Sequence, residues 1–151
     1  MDSHSATFPA RADAFTEVCA FVEGACDRAG VAHADALRVL LLVEELFVNT
    51  VDHGYGGDSD APVRLTLAVS PAAIAIEYGD MAPPFDPFTR VAPESDVDDL
   101  EGRPVGGLGI RLITAMAHDC AWAHRDGWNC ISFRLSRTET SGVIGGRGGA
   151  P

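Results

Sequence analysis

Apolar residues recur at helical spacing from Arg11 to about Ala29, at Phe15, Val18, Cys19, Val22 and Cys26, and Gly30 then supplies a stop. A second helix is expected from Asp35 to His53. Asp35 offers an N-cap, Leu37, Leu40, Leu41 and Leu42 give an apolar body, and Gly54 ends it. Ahead of both, Ser5 to Pro9 reads as a first edge strand. Past the turn-rich stretch 54–60, Val63, Leu65, Leu67 and Val69 alternate with other residues, as a half-buried strand requires. After the Ser70-Pro71 turn, Ile74, Ile76 and Tyr78 alternate again, so the two runs form a hairpin ending at Gly79-Asp80.

Residues 81–106 break the pattern with Pro83, Pro84, Pro87, Pro93 and Pro104 and the acids Glu94, Asp96, Asp98, Asp99 and Glu101. A loop of about 25 residues inside a compact domain is normally functional or disordered. Gly106-Gly107-Leu108-Gly109 then opens a third helix to about Ala117. Two further strand runs, Cys120 to His124 and Cys130 to Leu135, are joined by Asp126-Gly127. This order predicts an α+β two-layer sandwich, a mixed, mostly antiparallel sheet with helices on one face. The opposite face of the sheet must be partly polar or covered by a partner. Residues 1–137 read as one domain, and the Gly-rich tail 138–151 as disordered.

Charge changes the picture first. Eleven basic residues stand against 22 acidic ones, a net charge of −11 in 151 residues. A duplex-binding protein needs a basic footprint to release counterions, so direct nucleic-acid binding is not expected, and a basic protein is the better partner. All eleven cations are Arg. The absence of lysine removes the Walker A lysine, the protein-kinase lysine and every Schiff-base mechanism. Phosphate chemistry here must therefore use backbone amides, a metal ion or Arg. The cysteines Cys19, Cys26, Cys120 and Cys130 form no CxxC pair and stand apart from the histidines. They read as reduced core residues, with Cys19 and Cys26 on one helical face. With no signal-like start and no apolar run near 18 residues, a soluble, cytoplasmic chain without membrane association is expected.

Three elements can carry chemistry. Glu45, Asn49 and His53 lie four apart on the second predicted helix, so they share a face. The stripe is either a solvated polar face or a site in which Glu45 acts as a general base and Asn49 offers a hard oxygen to Mg²⁺. Asp80, at a strand end, is either an ordinary turn aspartate or an acceptor for an exocyclic amine such as that of adenine. Gly106 to Gly109 lead into a helix whose N-terminal amides suit an anion, with Arg103 and Arg111 beside them. It is not a dinucleotide fingerprint, because the third glycine and the βαβ unit are missing.

Taken in order, Val43-Glu44-Glu45-Leu46-Phe47-Val48-Asn49, His53-Gly54-Tyr55, Asp80 through Phe85-Asp86-Pro87, Gly106 through Ile113 and Asp126-Gly127-Trp128-Asn129 form a recognisable series. The chain resembles the ATP-binding domain of the GHKL superfamily and, within it, the stand-alone bacterial anti-sigma-factor serine kinases of the RsbW-like group. The resemblance covers about residues 5–136 and implies a Bergerat-type fold. It also implies ATP and Mg²⁺ as cofactors, Asn49 as the Mg²⁺ ligand, Glu45 as catalytic base and Asp80 as the adenine reader. Gly106, Gly107, Leu108 and Gly109 become the phosphate-side loop and lid hinge. His53 and Tyr55 line the site, as do Ala82, Phe85 and Arg111. The implied partners are a STAS-type anti-anti-sigma protein, phosphorylated on serine, and a sigma factor; members of the group often dimerise.

Two departures stand out. The family has Gly two residues after the adenine aspartate, where this chain has Ala82, and a need for positive φ there would weaken nucleotide binding. The acids at 94–101 would repel a triphosphate if they faced it. They motivate a rival reading, a nucleotide-gated protein-binding module that sequesters a partner without useful kinase activity.

Overall fold

The computed structural model describes residues 2–88 and 107–138. Strands β1 (Asp2–Pro9), β2 (Pro62–Val69), β3 (Ala73–Asp80), β4 (His118–Arg125) and β5 (Trp128–Ser136) form one sheet in the order β1-β2-β3-β5-β4. Its pairings are all antiparallel. Helices α1 (Phe15–Arg28), α2 (His33–Asn49) and α3 (Gly107–Met116) complete the α+β fold.

The period-two pattern builds the inner face of the sheet. Val63, Leu65, Leu67 and Val69 of β2, Ile74, Ile76 and Tyr78 of β3, and Ile131, Phe133 and Leu135 of β5 are all buried. They join Val18, Val22 and Cys26 of α1, Val39, Leu42, Val43, Leu46 and Phe47 of α2, and Ile110 and Ile113 of α3 in one core. The outer face is partly polar, the first of the two predicted alternatives. Ser5 and Thr66 share a 2.7 Å hydroxyl contact across β1 and β2. The Arg64 guanidinium lies 4.0 Å over the Trp128 ring, at a groove of about 570 Å³. The Asp126-Gly127 signal is realised as a tight hairpin with φ of 53° and 86°, the type I′ combination that matches strand twist.

Several expectations need correction. β1 begins at Asp2 rather than Ser5, because its pairing with β2 runs back to Asp2↔Val69. Helix α2 starts at His33, its N-cap position is Ala32, and no side chain caps it. Leu37 and Leu41 are 50% and 39% exposed, so the apolar body of α2 lies only partly in the core. Of the cysteines, Cys26 alone is fully buried; Cys19, Cys120 and Cys130 are half-buried, and all four are free thiols. The acidic cluster 94–101, Gly106, Arg103 and the tail from 139 lie outside the described residues.

Asp35 is a core tether, not a cap. Fully buried, it accepts a 2.9 Å hydrogen bond from Arg38 and two from Thr138, at 2.9 Å from the backbone N–H and 3.1 Å from the hydroxyl. Arg38 also donates to the Ser136 carbonyl at 2.7 Å, and Arg137 reaches the Ser70 and Gly30 carbonyls, so the end of β5 is strapped to the helix layer. Burial raises the Asp35 pKa, but the Arg38 and Thr138 hydrogen bonds outweigh it and hold the carboxyl below its ordinary 3.8. The unfolded chain therefore takes up this proton first. The stabilisation is fully present above pH 3.8 and fades as pH falls through the folded pKa. Asp35→Asn is expected to lower stability by about 2 kcal/mol at neutral pH and to flatten the acid limb. Urea unfolding from pH 7 downward checks this; an acid limb as steep in the variant as in the wild type would contradict it.

Candidate functional site

Asp80 ends β3 with its side chain on the inner face, 9% exposed. Every neighbour that touches its carboxylate is a donor. Oδ1 accepts from the Asn129 amide at 2.9 Å and from the Ala82 N–H at 3.2 Å. Oδ2 accepts from the Thr50 hydroxyl at 2.8 Å. That hydroxyl also meets Tyr78 Oη at 2.7 Å, and the Tyr78 hydroxyl reaches the Leu46 carbonyl at 3.2 Å. Burial pushes the Tyr78 hydroxyl well up, so it stays an O–H donor. Oδ1 is thus doubly occupied, while Oδ2 keeps acceptor capacity. An acceptor-only carboxylate with capacity to spare recognises a ligand N–H.

Asn129 organises the segment after Asp80. Its Oδ1 accepts from Phe85 N–H at 3.1 Å and from Trp122 Nε1–H at 3.0 Å, and these two donors fix the amide's orientation. Its Nδ2 consequently faces Asp80 and the carbonyls of Ala82 and Pro83, at 3.0 and 3.1 Å for the latter two. Tyr55 holds the other side, accepting from Met81 N–H at 2.6 Å and donating to the Pro62 carbonyl at 3.1 Å.

Glu45 and Asn49 are half-buried, one α-turn apart near the end of α2. The helix then widens into a π-turn over Thr50–Gly54, closed by Tyr55 N–H to the Thr50 carbonyl at 2.8 Å. Such turns recur at functional sites because one extra residue re-aims the side chains around it. Here the π-turn places the Thr50 hydroxyl on Asp80 and brings Gly54 over the carboxylate. A Cβ on Gly54 would lie 3.1 Å from the Ala82 methyl, 3.8 Å from the Asn49 carbonyl oxygen and 3.9 Å from Asp80 Oδ2. The Asn49 backbone carbonyl, the Asp80 carboxylate and the Ala82 methyl therefore converge on one small cradle kept open by Gly54. Ala82 is buried, and the non-glycine residues with positive φ among the described ones are Asp119 and Asp126. The departure at Ala82 thus needs no left-handed backbone; its methyl is accommodated because position 54 is Gly.

The remaining predicted residues are placed as follows. His53 is exposed in the π-turn, and Phe85 is 51% exposed beside Asn129. Gly107, Leu108 and Gly109 open α3, which also carries the half-buried Arg111. Thr50, Tyr78 and Asn129 were missed as contributors to the site. The signal that pointed to Thr50 was its place one residue after Asn49. Asn129 paired with Asp80 across β3 and β5 is visible only once the strand register is known.

The donor set suits adenine and a phosphate-held metal. Asp80 offers the acceptor for an exocyclic amine. Among the described residues no cluster of three or more His, Cys, Asp or Glu could cage an ion. A metal at the Asn49 amide oxygen would draw its other ligands from phosphate and water, the habit of Mg²⁺.

Known proteins agree with this architecture. Serine/threonine-protein kinase BtrW of Bordetella bronchiseptica is 28% identical over 93 residues, spanning 62% of this chain and 65% of that protein. Serine-protein kinase RsbW of Listeria monocytogenes is 24% identical over 113 residues, 73% of this chain and 72% of that one. The chain thus spans just under two thirds of the Bordetella protein's length. Among solved structures, the RsbU and RsbW domains of a Mycobacterium tuberculosis protein superpose with a TM-score of 0.61 at 18% identity, covering 91% of this chain and 34% of that one. The SiaB–SiaC complex of Pseudomonas aeruginosa gives 0.54 at 11% identity, covering 88% and 89%. These last two likenesses establish the fold. The family described as the histidine kinase-like ATPase domain matches residues 8–135, and with that match the chain belongs to this family.

Proposed function

We propose that this chain is an ATP-dependent protein-serine kinase that acts as an anti-sigma factor and phosphorylates a STAS-type anti-anti-sigma protein. The observation that carries the proposal is the Asp80 carboxylate, held by fixed donors beside Gly54, just past the end of the helix that carries Glu45 and Asn49. The names of the Bordetella and Listeria relatives, both serine kinases, support it. So does the SiaB–SiaC complex, whose solved assembly shows a chain of this fold holding a second protein.

In this reading Asp80 accepts the adenine amine and Asn49 holds one position on Mg²⁺. The first turn of α3, opened by Gly107 and Gly109, offers its backbone amides to the phosphates, the donors left to a chain without lysine. His53, Phe85 and Arg111 line the pocket. Bound MgATP supplies the γ-phosphoryl group and the charge neutralisation of its transfer. Glu45 takes the proton from the incoming serine hydroxyl, so that the oxygen can attack phosphorus as ADP leaves. Residues 1–137 act as a single ATP-binding domain in the cytoplasm. No helix among the described residues is long and apolar enough to cross a membrane.

Two measurements test the proposal together. Calorimetric titration of ATP with and without Mg²⁺ should show magnesium-dependent binding in the micromolar range. Incubation with a STAS-type protein from the same organism should yield phosphoserine. Nucleotide binding without any phosphoserine would favour the sequestering module; no binding up to millimolar ATP would overturn the proposal.

A further inference from the structure

Five large apolar side chains are exposed among the described residues. Met81 and Phe85 belong to the segment after Asp80. The other three, Leu37 at 50%, Leu41 at 39% and Val48 at 41%, lie on α2. At 100° per residue they fall within a 40° sector that points away from the core residues Val39, Val43, Leu46 and Phe47. Leu37 and Leu41 adjoin on successive turns and Val48 lies two turns further on, with exposed Glu44 and half-buried Glu45 between, so the ridge of about 16 Å is apolar at its ends and acidic in its middle.

Two features of the ridge say what covers it. First, Glu45 borders it: on the helical wheel that side chain lies next to Leu41, between the ridge and the Asn49 flank. Glu45 is one helical turn from both Leu41 and Val48, so a protein that presents a serine to it from the outer face of α2 lies against these side chains. Second, its rim is acidic. Glu44, exposed, lies on the opposite border, one helical turn from both Leu41 and Val48. Exposed Asp52 extends the rim beyond Val48. The cation on the outer half of α2, Arg38, is tied to Asp35 and the Ser136 carbonyl.

We infer that the Leu37–Leu41–Val48 ridge is the docking surface for the phosphoacceptor protein, which meets it with an apolar face edged by Arg or Lys. The inference rests on the kinase reading for the partner's identity, but its test separates the two. The probe is the same STAS-type protein that tests the kinase reading, used with the full chain. Leu41→Asp and Val48→Asp place a charge on the ridge at exposed positions, and an unchanged ATP dissociation constant certifies that each variant is folded. Each is expected to raise the KM for the protein substrate at least tenfold while kcat at saturation stays within twofold. Glu44→Arg should raise KM severalfold, an effect that disappears at high salt.

Unchanged KM values overturn the docking surface. If KM is unchanged while Leu41→Asp converts a dimer to a monomer in sedimentation, the ridge serves self-association and the proposal also falls. If the wild type binds the STAS protein without phosphorylating it, the kinase reading fails alone. The ridge is then judged by the dissociation constant of the pair, which Leu41→Asp must weaken at least tenfold. If the wild type does not bind that protein at all, the docking surface is overturned.

Discussion

Glu45→Ala is expected to bind MgATP as the wild type does and to transfer phosphate about 10²–10⁴-fold more slowly, the usual contribution of a positioned general base. The separation of the two effects follows from geometry. Thr50 and Asn129 hold the Asp80 carboxylate beside Gly54, the end of the site proposed to meet the base, whereas Glu45 stands a full helical turn before Asn49 and makes none of the hydrogen bonds that hold the carboxylate. Its half-buried position on a helix anchored by Leu42, Val43, Leu46 and Phe47 keeps it in register with the cradle without tying it there. Loss of the side chain therefore leaves the pocket standing. Single-turnover transfer under saturating ATP reads the chemical step, and equal rates for variant and wild type would remove Glu45 from the reaction. A variant that loses nucleotide affinity and transfer together would show instead that Glu45 supports the pocket.

The second large effect belongs to Asp80→Asn, expected to weaken ATP binding at least tenfold, about 1.4 kcal/mol, with little loss of stability. An asparagine can keep its oxygen toward the Asn129 amide and the Ala82 N–H, the two donors on Oδ1. Its NH₂ then falls where Oδ2 was. There the Thr50 hydroxyl can turn and accept, handing its own proton toward Tyr78, which has the Leu46 carbonyl as an outlet. The interior network is satisfied. What disappears is the spare acceptor beside Gly54, replaced by a donor that opposes an incoming amine. Calorimetry beside thermal unfolding distinguishes the outcomes: an unchanged dissociation constant would take Asp80 out of nucleotide recognition. A large fall in melting temperature would mean that the carboxylate serves the core instead.

Much of this was legible along the chain because the relevant signals are local. Alternation in Val63–Val69 and Ile74–Tyr78 located a hairpin that ends on Asp80, and helical spacing put Glu45 and Asn49 on one flank. Asp126-Gly127 announced its turn through the one conformation those residues favour. What stayed hidden depends on contacts between distant segments. Thr50 lies 30 positions from Asp80 and Asn129 lies 49 away, so neither hydrogen bond has a sequence signature. Asp35 was taken for a cap because its residue type suits one, yet the partners Arg38 and Thr138 draw it inward, the latter 103 positions away. The exposure of Leu37 and Leu41 escaped notice for a related reason. Periodicity shows that a helix has an apolar face, and four leucines in six positions cover more than one.

The contact between Gly54 and Ala82 has a consequence for how this pocket can vary. The two positions together are tight for two methyl groups, since one at 54 would sit 3.1 Å from the Ala82 methyl. The methyl is held on the strand side, under the loop, leaving the helix side bare. A chain with glycine at 82 is free of that neighbour and can place the methyl on the π-turn instead. Gly54→Ala alone therefore forces the Ala82 methyl to give by a few tenths of an ångström, whereas Gly54→Ala made together with Ala82→Gly moves the methyl from the strand to the π-turn without that contact.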